Sequence, residues 1–171
     1  FASGLDVAVS GRWQDRDGDD LYFAEYDDPS TNDGVAAGLD WEESHGLTAR
    51  ATYGRWSIQG LLVAREKGIP TGSYETDFND SRGRSQDDHH LAQVKYERDL
   101  GAATRLTLSA GHASYYYEGD WVYEGSISPD EAQTNTASAG VQLLRDLSPI
   151  NRLVIGAEYV DNYEASYSSW D

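Results

Sequence analysis

The chain has 171 residues, thirty of them acidic and thirteen basic, and a formal net charge of −17. That balance argues against a nucleic-acid partner, whose phosphates need Lys and Arg. The absence of cysteine excludes disulfides, thiolate metal sites and a Cys nucleophile. The length allows one domain with a core of its own, and no run of eighteen apolar residues offers a membrane-spanning helix. Twelve Tyr, five Trp and seventeen Gly with no Met suit strands and surfaces where one end of a ring is dry and the other wet. The chain starts at Phe1 without a Met, shows no signal peptide and closes on SYSSWD, so both ends are read as cut.

In chain order, seven segments alternate at period two, the strand period. Leu5, Val7, Val9 and Trp13 alternate with Asp6, Ser10 and Arg12. A long connection, Asp15–Asp40, leads to Leu47, Ala49, Ala51 and Tyr53, opposite Thr48, Arg50 and Thr52. After Gly54-Arg55 come Trp56, Ile58, Gly60 and Leu62, opposite Ser57 and Gln59. A second long connection, Arg65–His90, precedes Ala92, Val94 and Tyr96. The short Arg98–Thr104 leads to Leu106, Leu108 and Ala110, and the third long connection, Tyr117–Asn135, to Ala137, Ala139, Val141 and Leu143. The short Arg145–Asn151 leads to Leu153, Ile155, Ala157 and Tyr159. No segment carries a helical period.

The expected fold is an all-β, antiparallel up-and-down meander of about seven strands. In a meander, alternate connections share one end of the sheet, so three long loops gather at one end and the short turns at the other. Loops this long are uncommon in compact soluble domains. The long connections hold twenty of the thirty acidic residues and five of the thirteen basic ones, which makes that end strongly acidic. Trp13, Tyr53, Trp56, Tyr96 and Tyr159 mark the two ends of the apolar face as candidate girdle residues. An apolar band between aromatic girdles, with a polar opposite face, is the pattern of a transmembrane barrel strand, for which about 9–11 residues suffice. The other face carries Asp6, Arg50, Gln59 and Lys95, poor lining for a dry core. Alternation alone leaves open a soluble β-sandwich or barrel with its apolar face inward, for example a carbohydrate-binding module. The end-segregated loops and the girdles favour the membrane.

The stretches DLYFAEYDDPSTNDGVAAGLD (Asp20–Asp40), VAREKGIPTGSYETDFNDSRGRSQDD (Val63–Asp88) and LVIGAEYVDNY (Leu153–Tyr163) resemble the barrel of bacterial TonB-dependent outer-membrane receptors. The resemblance implies a 22-stranded transmembrane barrel with long extracellular loops, short periplasmic turns and an N-terminal plug. It also implies uptake of a ferric siderophore, cobalamin (vitamin B12) or another scarce solute, energised through the TonB complex. The expected location is the bacterial outer membrane, in contact with its lipid. Residues 1–171 are then a partial barrel domain lacking the plug and the remaining strands. Seven strands cannot close so wide a barrel, and open sheet edges are not tolerated in lipid, so a fragment is expected.

In that frame the segment around KGIPTGSY is an extracellular loop, punctuated by Gly68, Pro70 and Gly72, with Tyr74 and Phe78 offering flat surface to a ligand or a neighbouring loop. Arg65, Lys67, Arg82 and Arg84 form the basic cluster of the long loops, suited to the hard oxygens of a siderophore unless paired internally with Glu66, Glu75, Asp77 or Asp80. Tyr115, Tyr117 and Trp121 in YYYEGDWVYEG are candidate stacking surfaces. No metal, cofactor or catalytic residue is assigned. DRDGDD departs from an EF-hand, because the sixth residue from Asp15 is Asp20 and the twelfth is Tyr26. Adjacent His89 and His90 point to opposite faces if they lie in a strand. His112 and Ser114 share a face but lack an orienting carboxylate and an oxyanion hole.

Overall fold

The computed structural model describes residues 4–170; Phe1 and Asp171, the ends of the expected domain, lie outside them. Seven long strands form one antiparallel sheet in the order β1-β4-β5-β6-β7-β8-β9. They are β1 (Leu5–Arg16), β4 (Glu42–Tyr53), β5 (Trp56–Gly68), β6 (Arg84–Asp99), β7 (Thr104–Tyr123), β8 (Ser126–Ser148) and β9 (Asn151–Ser169). Two short strands, β2 (Leu21–Tyr22) and β3 (Val35–Ala36), pair inside the first loop. Every strand of the large sheet pairs with its neighbour in that chain order, so the meander inferred from the alternation is the observed topology.

The registers carry the alternation across the sheet. One row reads Val7, Ala51, Ile58, Val94, Ala110, Ala139 and Tyr159, partner to partner through all seven strands. Successive residues of a strand point to opposite faces, so this row and those two residues away share the apolar face. The intervening row Ala8, Arg50, Gln59, Gln93, Gly111, Ser138 and Val160 lies on the polar face. There Gln59 Nε2 donates to Gln93 Oε1 at 2.9 Å.

The apolar band does not run parallel to these rows. In β1 it extends from Leu5 to Trp13; in β9 it extends from Leu153 to Tyr159, which falls on the row of Val7. The band thus drifts by about five residues over the width of the sheet. With a rise of about 3.3 Å per residue and a strand spacing of about 4.8 Å, the strands lean about 30° from the normal to the band. Measured along that normal, Leu5 to Trp13 spans about 23 Å.

Apolar burial sits elsewhere. Among the described residues the buried apolar side chains are Ala36, Leu39 and Val122, all at the long-loop end. Ile58 is 57% exposed and Leu108 42%, with no helix or second sheet over them among the described residues.

Two connections differ from expectation. The segment Tyr117–Asn135, expected as a long loop, is a two-stranded projection in which β7 and β8 stay paired to Tyr123 and Ser126. Its turn is Glu124-Gly125, with φ of 50° and 77°. Both values are left-handed, the requirement of a type I′ hairpin turn, which Asn-Gly or Asp-Gly usually signals. The polar alternation around it shows no apolar face, so the hairpin looks like a loop in sequence. The second connection is also shorter than expected, because β5 continues to Gly68 and β6 begins at Arg84.

A bulge breaks the last ladder. Asn135 pairs with Glu164 and Thr136 with Asn162, so Tyr163 is skipped. Its hydroxyl lies 2.7 Å from His112 Nε2, on the apolar face.

Replacing Gly125 by Val should destabilise the hairpin by about 1–2 kcal/mol, because a β-branched residue resists positive φ. Faster amide exchange at Trp121–Ser128, with the rest of β7 and β8 unchanged, is the expected readout.

Candidate functional site

At the long-loop end three segments lock together: residues 17–41, residues 69–83, and the β7–β8 projection. The first docks on the second through aromatic rings. Phe78 stacks on Tyr26 with centroids 4.2 Å apart and meets Phe23 edge-on at 5.8 Å. Tyr26 Oη donates to the Gly72 carbonyl at 3.1 Å, and the Ala37 N–H donates to Asn79 Oδ1 at 3.0 Å. A Cβ on Gly72 would collide with the Tyr26 hydroxyl, so glycine is needed there for close approach.

Asp77 fastens the second segment to the third. Its carboxylate accepts from the N–H groups of Glu124 and Gly125 at 3.1 and 2.6 Å, and its own N–H donates to the Val122 carbonyl at 2.7 Å. Arg82 Nη1 adds a bond of 3.0 Å to the Gly125 carbonyl. Val122, 1% exposed, is sealed beneath this contact.

The basic cluster is internally paired. Arg65 binds Glu42 at 3.0 Å and approaches Asp87 at 3.9 Å. Lys67 binds Asp40 at 2.9 Å, and Arg82 binds Asp80 at 2.6 Å. Arg84 holds three carboxylates at once: Glu66 at 2.9 Å, Glu118 at 2.6 Å and Asp120 at 2.7 Å. Glu66 and Asp80 are partners foreseen from sequence, while Glu75 pairs with none of these cations and Asp77 caps a turn instead. Asp40, Glu42, Asp87, Glu118 and Asp120 were not foreseen: register brings the last four beside their cations, and Asp40 reaches Lys67 from just before β4.

The remaining candidates divide by face. Arg65, Lys67, Tyr115, Tyr117 and Trp121 lie on the polar face, and Arg84 lies on the apolar one, as their ladder partners show. Tyr115 donates to Asp87 Oδ1 at 2.7 Å and lies 4.7 Å from the His89 ring. Trp121 Nε1 donates to Asp130 Oδ1 at 2.8 Å. Burial, and then the nearby Asp130 carboxylate, push the Tyr117 hydroxyl above its ordinary range. Tyr74 is 79% exposed and meets Trp121 edge-on at 5.6 Å. It sits at φ 59°, a left-handed conformation costly for a non-glycine residue. Phe78, by contrast, is taken up by Tyr26 and Phe23.

Below this rim, on the same polar face, a cleft of about 400 Å³ has apolar walls from Leu61, Val63, Leu91 and Ala113, with His89 and Tyr115 at its side. Aliphatic residues at these alternate positions were not singled out from sequence, because they interrupt an otherwise polar face. The arrangement offers an apolar recess beneath a rim of aromatic rings and hydroxyls.

Of the candidate girdle residues, Trp56 and Tyr96 contact one another at 4.8 Å, and Trp13, Tyr53 and Tyr159 are exposed. His89 and His90 face opposite sides, opposite Tyr115 and Ser114 respectively. Asp20 Oδ1 accepts from the Gly38 N–H at 2.7 Å. Among the described residues, no three His, Asp or Glu side chains are grouped to hold a metal ion.

Two outcomes test the interlock. Asp77→Ala removes the acceptor for two turn amides, and exchange at residues 69–83 and 124–125 should rise while the strand amides stay protected. The second is a pH dependence. Hydrogen bonds from Lys67, Arg65 and Arg82 hold the carboxyls of Asp40, Glu42 and Asp80 below their ordinary ranges. Their stabilisation is therefore complete above the ordinary carboxyl values, about pH 4, and is lost as pH falls through the depressed folded-state values. Loop protection measured by exchange should be flat from pH 7 to 5 and should decline below about pH 4.

The chain matches no protein-family model, no curated protein and no solved structure.

Proposed function

We propose that this chain forms seven strands in the wall of a 22-stranded TonB-dependent receptor of the bacterial outer membrane, and that the receptor imports a ferric siderophore. The observation that carries the reading is the uncovered apolar band, inclined about 30° to the ladder rows. In a barrel the strands lean about 35–45° from the axis, so a band parallel to the membrane must cross the rows at a comparable angle. A sandwich core has no such requirement. The band's height of about 23 Å approaches the roughly 25 Å apolar belt of outer-membrane barrels. A soluble module would cover Ile58 and Leu108 with its own chain, and both are exposed.

In this reading the polar face lines the lumen and the interlocked loops stand outside the cell. Solute recognition falls to Tyr74, Tyr115, Tyr117 and Trp121 and to the apolar recess beneath them. The paired cations Arg65, Lys67, Arg82 and Arg84 act chiefly in shaping the loops. Arg65, Lys67 and Arg82 keep N–H donors beyond those their carboxylates take, and a siderophore oxygen meets them in competition with those carboxylates. The plug, TonB contact and remaining strands belong to the rest of such a receptor.

Bilayer insertion of the complete receptor that carries these seven strands tests the proposal. Ile58 sits near mid-band, and Ile58→Arg should lower the stability of the bilayer-inserted state by about 2–4 kcal/mol. Gln59→Arg on the opposite face should change it little. Bilayer-embedded bromine should quench Trp56 and Trp13 more strongly than Trp121. Equal sensitivity at Ile58 and Gln59, or a protein that stays in water without lipid or detergent, would overturn it.

A further inference from the structure

Charge at the short-turn end is sorted by face. Asp99, Asp146 and Glu97 lie on the polar face and hold Arg105 at 2.9 Å, Arg152 at 2.6 Å and Lys95 at 3.7 Å. Arg98 and Arg145 lie on the apolar face, as their ladder partners Leu106 and Leu153 show. Both are exposed, and among the described residues neither guanidinium has a carboxylate within ion-pair reach.

The inclination of the band makes these two arginines equivalent. Arg98 follows Tyr96, the lower girdle residue of β6, by two positions. Arg145 follows Leu143, the lowest apolar residue of the band in β8, by the same interval. On the ladder rows they are offset, but once the lean of the strands is followed they stand at one depth, just past the band. Leu100 and Leu147, each two residues further toward its turn, are also exposed. The guanidinium groups are thus framed by apolar and aromatic surface on an otherwise uncharged margin.

We propose that Arg98 and Arg145 form a binding rim for the phosphate groups of anionic phospholipid in the membrane leaflet next to the short turns. The inference rests on the membrane reading above and adds a ligand class to it. An arginine at the edge of a hydrocarbon layer extends its stem along apolar surface and places its planar head among the headgroups. There its forked N–H donors match phosphate oxygens. The counter-charges that could have neutralised these arginines are all on the other face, where they serve other cations. The long-loop end has no such rim: on its apolar face Arg84 is occupied by three carboxylates.

The test is a native mass-spectrometric titration of the complete, detergent-solubilised receptor that carries these strands with phosphatidylglycerol and, separately, phosphatidylcholine. The unaltered protein should bind phosphatidylglycerol more tightly. Arg98→Gln and Arg145→Gln should each lower that preference by about five-fold, and the Lys variants should retain most of it. Arg105→Gln and Arg152→Gln, on the opposite face, should leave it unchanged. Each variant is first checked for unaltered strand content by circular dichroism, and the Lys variants supply a second, milder perturbation at the same sites. A protein that enters bilayers yet binds both lipids alike, or loses preference equally with the opposite-face variants, overturns the rim while leaving the membrane reading intact. A complete receptor that fails to enter bilayers removes both.

Discussion

Every strand of this sheet delivers one side chain to each face in turn, and no layer among the described residues covers either side. The ladder meets the backbone hydrogen-bonding demand between adjacent strands, but it cannot by itself remove apolar side chains from water. The aliphatic band therefore requires an environment supplied by something other than these residues. The polar face has no such requirement along most of its length, and its Arg, Lys and Gln side chains are compatible with water. This asymmetry gives the two faces their different roles, and the lean of the band ties the apolar one to a plane that cuts across the strands.

The long-loop end obeys different physics. It holds the buried apolar side chains, and its few cations are each paired with a subset of its many carboxylates. Arg84 against three acidic partners, Lys67 against Asp40 and Arg65 against Glu42 each consume a cation to order a carboxylate. Such exposed or half-buried pairs contribute little each, so the aromatic stack of Phe78 on Tyr26 and the Asp77 anchor carry more of the positioning. The rim rings on the polar face are held by this scaffold. Tyr74, which stands out from it, is left free on most of its surface.

The meander was legible because Leu5 to Trp13, Trp56 to Leu62 and their counterparts alternate cleanly, and because the connections alternate in length. The candidate girdle positions were read from the same period. What sequence hid was whatever depends on partners far along the chain. The β7–β8 projection carries polar residues on both faces, so periodicity could not distinguish it from a loop, and Glu-Gly is a weak turn signal beside Asn-Gly. The cations were visible as a cluster, but which carboxylates occupy them depends on register. Phe78 reads equally as surface for a ligand or for a neighbouring loop, and the first loop, lying over it through Tyr26 and Phe23, realises the second. The apolar recess was hidden because Leu61 and Leu91 stand thirty residues apart and meet only as ladder partners.

The skipped residue in β9 has a topological effect larger than its size. Before Tyr163, odd-numbered positions such as Tyr159 share the greasy side; after it, even-numbered positions such as Glu164 do, and Tyr167 is turned toward the polar side with Tyr117. One missed rung thus inverts the parity of the strand as it leaves the proposed bilayer. An acidic side chain and a tyrosine exchange sides, and the far stretch of β9 joins the loop end without any change in the apolar stretch before it.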